Sequence, residues 1–241
     1  MARQRTGAVL ATIALVVALA ALAALAASGP GSRLGWWHFR VGFTLMQWAA
    51  YGALAGAALG LVGLLLGGAR ARAAVALVAG LAVFAVPWSL RRQAQSVPPI
   101  HDLSTDTDDP PAFAELVGRR AATGATNPPE YAGPDVAAQQ KRAYPDLAPI
   151  VLAEPPHRAF ARATAAAESL GWEIVSADPQ RGRLEATHTT RWFGFKDDVV
   201  VRVRPEGPGS RLDVRSKSRV GRSDVGANAA RIRAFRDAVR P

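Results

Sequence analysis

Apolar residues follow two different rhythms along this chain. Over the first 90 positions they run almost without a break. Residues 7–27, 42–68 and 73–90 carry no charge and consist mainly of Ala, Val, Leu, Ile and Gly. Crossing the hydrocarbon core of a bilayer takes about 20 such residues in a helix, so three membrane-spanning helices are predicted. Trp36, Trp37, Trp48 and Trp88 stand near their ends, where amphipathic rings favour the head-group region. From about residue 150 the apolar positions recur with helical or strand periods instead. Residues 156–171 place Phe160, Ala163, Ala167 and Leu170 on one helical stripe, and Gly171 stops it. A short strand over 172–177 follows. Residues 183–192 then alternate, with Leu184, Ala186 and His188 on one side and Arg183, Glu185 and Thr187 on the other. Val199, Val201 and Val203 mark a strand over 198–204. Glu206-Gly-Pro-Gly209 reads as a turn, and Leu212 and Val214 point inward from a strand over 211–217. A last helix runs from Ser223 or Asp224 to Val239 on the stripe Val225, Ala229, Ile232, Phe235 and Val239, with Ser223 as its cap.

The predicted fold class is an α+β soluble domain following an all-α bundle of three transmembrane helices. The domain is an antiparallel sheet of about four or five strands with helices packed on one face. Residues 1–92 form the anchor and 150–241 the α+β domain. Between them, residues 93–149 hold the pairs Pro98-Pro99, Pro110-Pro111 and Pro128-Pro129. Paired prolines disfavour continuous helix, so this stretch is expected to wrap the domain in extended form. One short helix is expected over 111–123, with Tyr131 and Tyr144 as fasteners.

Charge refines the picture. The first 90 residues hold six arginines and no acid, whereas residues 156–241 carry 17 basic against 10 acidic side chains. A basic surface attached to a membrane anchor points to an anionic lipid or an envelope protein partner and away from nucleic acid. Arg3 and Arg5 before the first span, and Arg70 and Arg72 between the second and third, favour a cytoplasmic N-terminus. They tip the count only slightly against Arg33, Arg40, Arg91 and Arg92. Three spans then leave the domain on the periplasmic or extracytoplasmic side of a bacterial inner membrane. No ionisable residue falls inside a span, which argues against a transporter. The absence of cysteine removes disulfides, thiolate metal sites and a Cys nucleophile. Gly52, Gly56 and Gly60 form a small-residue face, for a homo-oligomer or for packing within the chain.

One stretch carries a family resemblance. Leu212-Asp-Val-Arg-Ser-Lys-Ser-Arg-Val-Gly-Arg-Ser-Asp-Val-Gly-Ala-Asn228 resembles the domain of unknown function 1499 family. So do Trp192-Phe-Gly-Phe-Lys-Asp-Asp-Val199 and Thr105-Asp-Thr-Asp-Asp-Pro-Pro-Ala-Phe113. The likeness spans roughly residues 97–240 and departs at Arg222, where an uncharged residue is expected. It implies envelope or organelle-lumen proteins without an established activity.

The best candidate site is the predicted strand–helix junction, where a helix N-terminus favours an anion. There Arg215, Arg219 and Arg222 offer charge, and Ser216, Ser218, Ser223 and Asn228 offer hydrogen bonds. Turn, cap and ion-pair roles account for the same residues without a ligand. Asp106, Asp108 and Asp109 are weak candidates for a divalent cation; they lack EF-hand spacing, and Pro110 fits helix initiation. His188 with Asp197 or Asp198 is a weak candidate for a hydrolase site, though a histidine on an apolar strand face is more often a hydrogen-bonded core residue. No Gly-x-Ser-x-Gly, His-Glu-x-x-His or phosphate-loop motif is present, and no cofactor is implied. The leading expectation is a membrane-anchored binding or accessory module of the cell envelope, with an envelope hydrolase as the alternative.

Overall fold

The computed structural model describes residues 1–240. The chain divides into two compact units. Met1–Gln93 and Arg191–Gly194 form the first; Ala94–Thr190 and the residues from Phe195 onward form the second.

The first unit contains α1 (Ala2–Arg33), α2 (Phe39–Leu66) and α3 (Arg70–Ser96). All three are long and apolar enough to cross a membrane. Small residues fill the inside: Ala11, Ala14, Ala18, Ala53, Ala73 and Ala76 are fully buried. Val9, Val16, Leu19, Leu65 and Val78 face out, the arrangement expected where lipid is as apolar as leucine and only close packing holds helices together. The glycines of α2 serve that packing within the chain. A Cβ on Gly56 would lie 3.2 Å from the Ala14 carbonyl oxygen of α1, and one on Gly60 would lie 2.8 Å from that of Ala73 in α3. At the Arg191–Gly194 turn, Phe193 packs on Phe43 with ring centroids 4.9 Å apart, and Trp192 lies against Gly29.

The second unit is an antiparallel sheet of six strands. They are β1 (Asp102–Ser104), β2 (Ile150–Leu152), β3 (Glu173–Asp178), β4 (Arg183–Thr189), β5 (Lys196–Glu206) and β6 (Gly209–Ser218). The order is β1-β6-β5-β4-β3, and β2 also pairs with β6, at the opposite end from β1. The meander β3–β6 follows the predicted alternation. β1 and β2 are additional, three-residue strands too short to show a period. Helices α6 (Pro156–Ser169) and α7 (Ala227–Val239) cover one face. Phe160, Ala163 and Ala167 meet Ala229, Ile232 and Phe235 over Leu184, Ala186, Val199, Val201, Leu212 and Val214. Trp172 stacks on Phe235 at 5.3 Å between centroids.

Two further helices arise in the proline-rich segment: α4 (Glu115–Ala122) and α5 (Pro134–Ala143). The segment is thus more helical than its proline pairs predict. In α5, Pro134 occupies the first turn, where its missing N–H costs nothing, with Asp135 beside it and Lys141 and Arg142 in the last turn. α4 packs on the opposite face of the sheet from α6 and α7, where Phe113 and Leu116 cover Val200.

Candidate functional site

Strand alternation sorts the charged residues. In β6, Leu212, Val214, Ser216 and Ser218 share the side of α6 and α7, and Arg211, Asp213, Arg215 and Lys217 share the other. Cross-strand registry adds to this second face. Asp198 stands opposite Lys217, Val200 opposite Arg215, Arg202 opposite Asp213, and Asp102 of β1 opposite Lys217 from the other side. A face that looks like a solvated polar surface is instead covered by α4 and the chain around it.

Under this cover lie four buried cations and two buried carboxylates that bind them. Asp102 accepts from Arg215 Nε at 2.9 Å and from Lys217 Nζ at 3.0 Å. Asp198 accepts from Arg120 Nη1 at 2.7 Å, from Arg219 Nη2 at 2.7 Å and from Thr187 Oγ1 at 2.8 Å. Backbone carbonyls of Pro111, Asn127, Pro129 and Glu130 take further N–H groups of these cations. The guanidinium of Arg215 also lies over the rings of Phe113, at 4.7 Å, and Tyr131, at 5.4 Å. A third buried carboxylate, Glu185, receives the Ala114 and Leu116 amides at 2.7 and 2.8 Å, and so fastens the start of α4 to β4. Burial pulls the Lys217 ammonium below its ordinary range while neighbouring Asp102 resists. Burial, reinforced by Asp102, pushes the Tyr131 hydroxyl up to about 12.

Towards the open edge of the same face the arginines become partly exposed. Asp213 accepts from Arg202 Nη2 at 3.0 Å, Arg204 Nη2 at 2.8 Å and Arg211 Nε at 2.8 Å. Asp106 accepts from Arg211 Nη2 at 2.8 Å, and Asp109 from Arg204 Nη1 at 3.1 Å. Burial would raise the Asp106 carboxyl, but the amides of Asp109 and Asp108 together with Arg211 and Arg202 hold it below the usual range. Asp108 meets Lys141 at 3.2 Å. The three aspartates named as metal candidates therefore face arginine and lysine groups. No cluster of three or more metal-binding side chains occurs among the described residues. Beside Arg202 lies a cavity of about 230 Å³ lined by Pro111, Ala112, Arg181, Arg183, Val200 and Arg202.

The residues of the predicted junction do not converge. Arg215 and Arg219 are buried in the ion pairs above. Ser216, Ser218 and Asn228 lie on the α7 side, where Ser216 Oγ donates to Asn228 Oδ1 at 2.7 Å and Asn228 Nδ2 donates to Ser218 Oγ at 3.2 Å. Arg222 is exposed in the connecting loop. Ser223 Oγ receives the Val225 amide at 3.2 Å and does not cap α7. The helix begins only at Ala227, because Val225 and Gly226 adopt φ of 54° and 84°. Asp224 takes the Gly226 and Asn228 amides at 2.8 and 2.9 Å, which places the chain's own carboxylate where an anion was expected. Burial raises the Asp224 carboxyl against those two amide bonds.

Of the other candidates, His188 and Asp197 stand opposite each other on β4 and β5. Arg231 Nη2 meets both, at 3.0 Å from His188 Nδ1 and 2.6 Å from Asp197 Oδ2. Asp198 is on the other face. Sequence reasoning passed over Asp102, Arg120, Glu185 and Asp213. For Asp213 the available signal was charge complementarity with Arg202 across the β5–β6 ladder, which is favourable in a sheet.

A family model described as a protein of unknown function (DUF1499) matches residues 102–239. The match begins at Asp102 and takes in the whole charged face and none of the three apolar helices. No curated protein matches the chain.

Proposed function

We propose, from the premise that this chain belongs to the DUF1499 family of proteins of unknown function, that it is a membrane-anchored binding module of the cell envelope. On this reading the sheet domain engages an anionic ligand, lipid head group or acidic partner on the non-cytoplasmic side. Three apolar helices support the anchor. The N-terminal arginines and the Arg70–Arg72 turn support the orientation. The single observation that carries the binding reading is the arginine edge of the sheet. There Arg181, Arg183, Arg202, Arg204 and Arg211 gather at one end of one face and keep part of their guanidinium surface in water. Such a patch attracts anions and speeds their encounter. The junction over 215–228 is a poorer support, because its arginines 215 and 219 are committed to buried carboxylates.

The hydrolase alternative draws little from the geometry. Asp198 is across the sheet from His188, and the Asp197 carboxylate takes the Arg231 guanidinium.

The test uses the full chain in zwitterionic nanodiscs, mixed with vesicles with or without phosphatidylglycerol. Capture by the anionic vesicles alone is expected. It should fall as salt rises toward physiological strength, where screening acts over about 8 Å, and should weaken in an Arg181→Glu/Arg204→Glu variant. Equal capture of both vesicle types, or of neither, would sink the reading.

A further inference from the structure

The cavity at the arginine edge has the makings of a defined site. We infer that it binds a phosphate group, either as the free ion or as the head group of a lipid; this rests on the anionic reading above and narrows it.

Registry sets up the argument. Arg183 of β4 stands directly opposite Arg202 of β5, and like charges facing each other across a ladder are destabilising. Other such contacts on this face are compensated: Arg204 opposes Arg211, and Asp213 and Asp106 lie between them. Arg202 shares those carboxylates and also meets Asp109 at 3.0 Å. Arg183 has no equal. Its nearest carboxylate is Glu185 at 3.7 Å, beyond hydrogen-bond reach. That carboxylate already receives two amides of the α4 start. Arg181 also lies beyond hydrogen-bond reach of its nearest carboxylate, with its Nε 3.6 Å from Asp178 Oδ2, while Asp178 Oδ1 accepts the amides of Gln180 and Arg181. Among the described residues, neither guanidinium donates a hydrogen bond to any protein group. Both line the 230 Å³ cavity, and no carboxylate lines it.

The lining specifies the ligand. Two guanidinium forks that donate no hydrogen bond to protein, with Arg202 also in the lining, suit a group that carries a charge of about −1.5 to −2 and three acceptor oxygens, which describes a phosphate monoester. A single carboxylate offers only two oxygens and one charge. Pro111, Ala112 and Val200 supply apolar walls, and a lowered local dielectric on that side strengthens the charge contacts. The volume is below the roughly 300–1,000 Å³ of sites for drug-sized molecules, so a head group fits and a large substrate does not.

The experiment uses the full chain in neutral detergent micelles at fixed ionic strength. By calorimetry, one arm titrates inorganic phosphate and the other a short-chain phosphatidic acid, with potassium chloride as control. Saturable binding is expected in at least one arm, weakened about tenfold in Arg183→Gln, the loss expected when one charge-assisted contact goes. The unliganded variant should melt no lower than the parent, since it loses a like-charge contact; a purely structural arginine would lower the melting temperature. Binding in the phosphate arm alone identifies the free ion, and in the lipid arm alone the head group. If neither probe binds saturably, or if Arg183→Gln binds both as the parent does, the inference falls. Retained capture by anionic vesicles would then leave the broader reading standing, and its loss would remove both.

Discussion

Lys217 is wholly buried near the end of β6 with its ammonium on Asp102, and Arg120, Arg215 and Arg219 lie close by in the same layer. Placing four cations around two carboxylates is expensive unless nearly every donor is satisfied. Carbonyls, the Thr187 hydroxyl and the Phe113 ring meet most of that requirement. Removing either Asp102 or Asp198 would strand buried positive charge, a loss of about 3–5 kcal/mol. A more exposed pair offers a readable pH dependence. Asp146 accepts two hydrogen bonds from Arg233 at 2.7 Å. These hold its carboxyl at about 2, against an ordinary 3.8, with slight burial opposing. A depressed carboxyl stabilises the fold above its unfolded value and loses that contribution as pH falls through the folded one. The pair should therefore weaken between about pH 4 and pH 2. Melting curves of the parent and Asp146→Asn are expected to differ at pH 6 and to converge near pH 2. A constant gap across that range would show that the pair contributes through packing alone.

At the scale of elements, close approach decides what each glycine does. In α2, Gly60 faces the backbone of α3, and an added methyl would lie 2.8 Å from the Ala73 carbonyl oxygen; at Gly52 the nearest atom is the Ala21 Cβ at 3.5 Å. Gly60→Ala is expected to lower the melting temperature in detergent by the equivalent of about 1–3 kcal/mol, the usual range for overpacking. Gly52→Ala should leave it almost unchanged, and equal effects at the two positions would count against packing within the chain. The longer elements were legible in the sequence because they carry a sustained period: the spans by unbroken apolarity, α6 and α7 by their stripes, β3–β6 by alternation. α5 was hidden because the proline at its start resembles the prolines of extended chain. β1 and β2 exist only because β6 offers them an edge, and three residues carry no period. The start of α7 was misplaced by three or four residues because two left-handed backbone positions intervene, at Val225 and Gly226.

For the whole molecule, the chain supplies its own control for topology. It has no cysteine, so a single introduced thiol reports one position without background. Ala161→Cys on the exposed side of α6 and Ala71→Cys at the start of α3 lie in regions that the proposed orientation puts on opposite sides of the membrane. With an impermeant maleimide on intact cells, Ala161→Cys should label directly and Ala71→Cys only after permeabilisation; the reverse pattern would invert the orientation. Composition and periodicity by themselves determined the three apolar helices, the α+β class and the apolar side of the sheet, because burial of hydrophobic surface leaves its period in the sequence. The family was legible in the motifs of β6 and the following loop. Only the tertiary structure decided that the polar side of the sheet is also covered. Only it decided that Arg215 and Arg219 are structural ion-pair partners, and that on this face Arg181 and Arg183 are the guanidinium groups without a hydrogen bond to protein. The reason is that a charge carries no period and its role depends on which carboxylate lies within hydrogen-bonding distance. Here the carboxylate of Arg215 is Asp102 of β1, 113 residues away, and that of Arg219 is Asp198 of β5, 21 residues away, which it shares with Arg120 of α4.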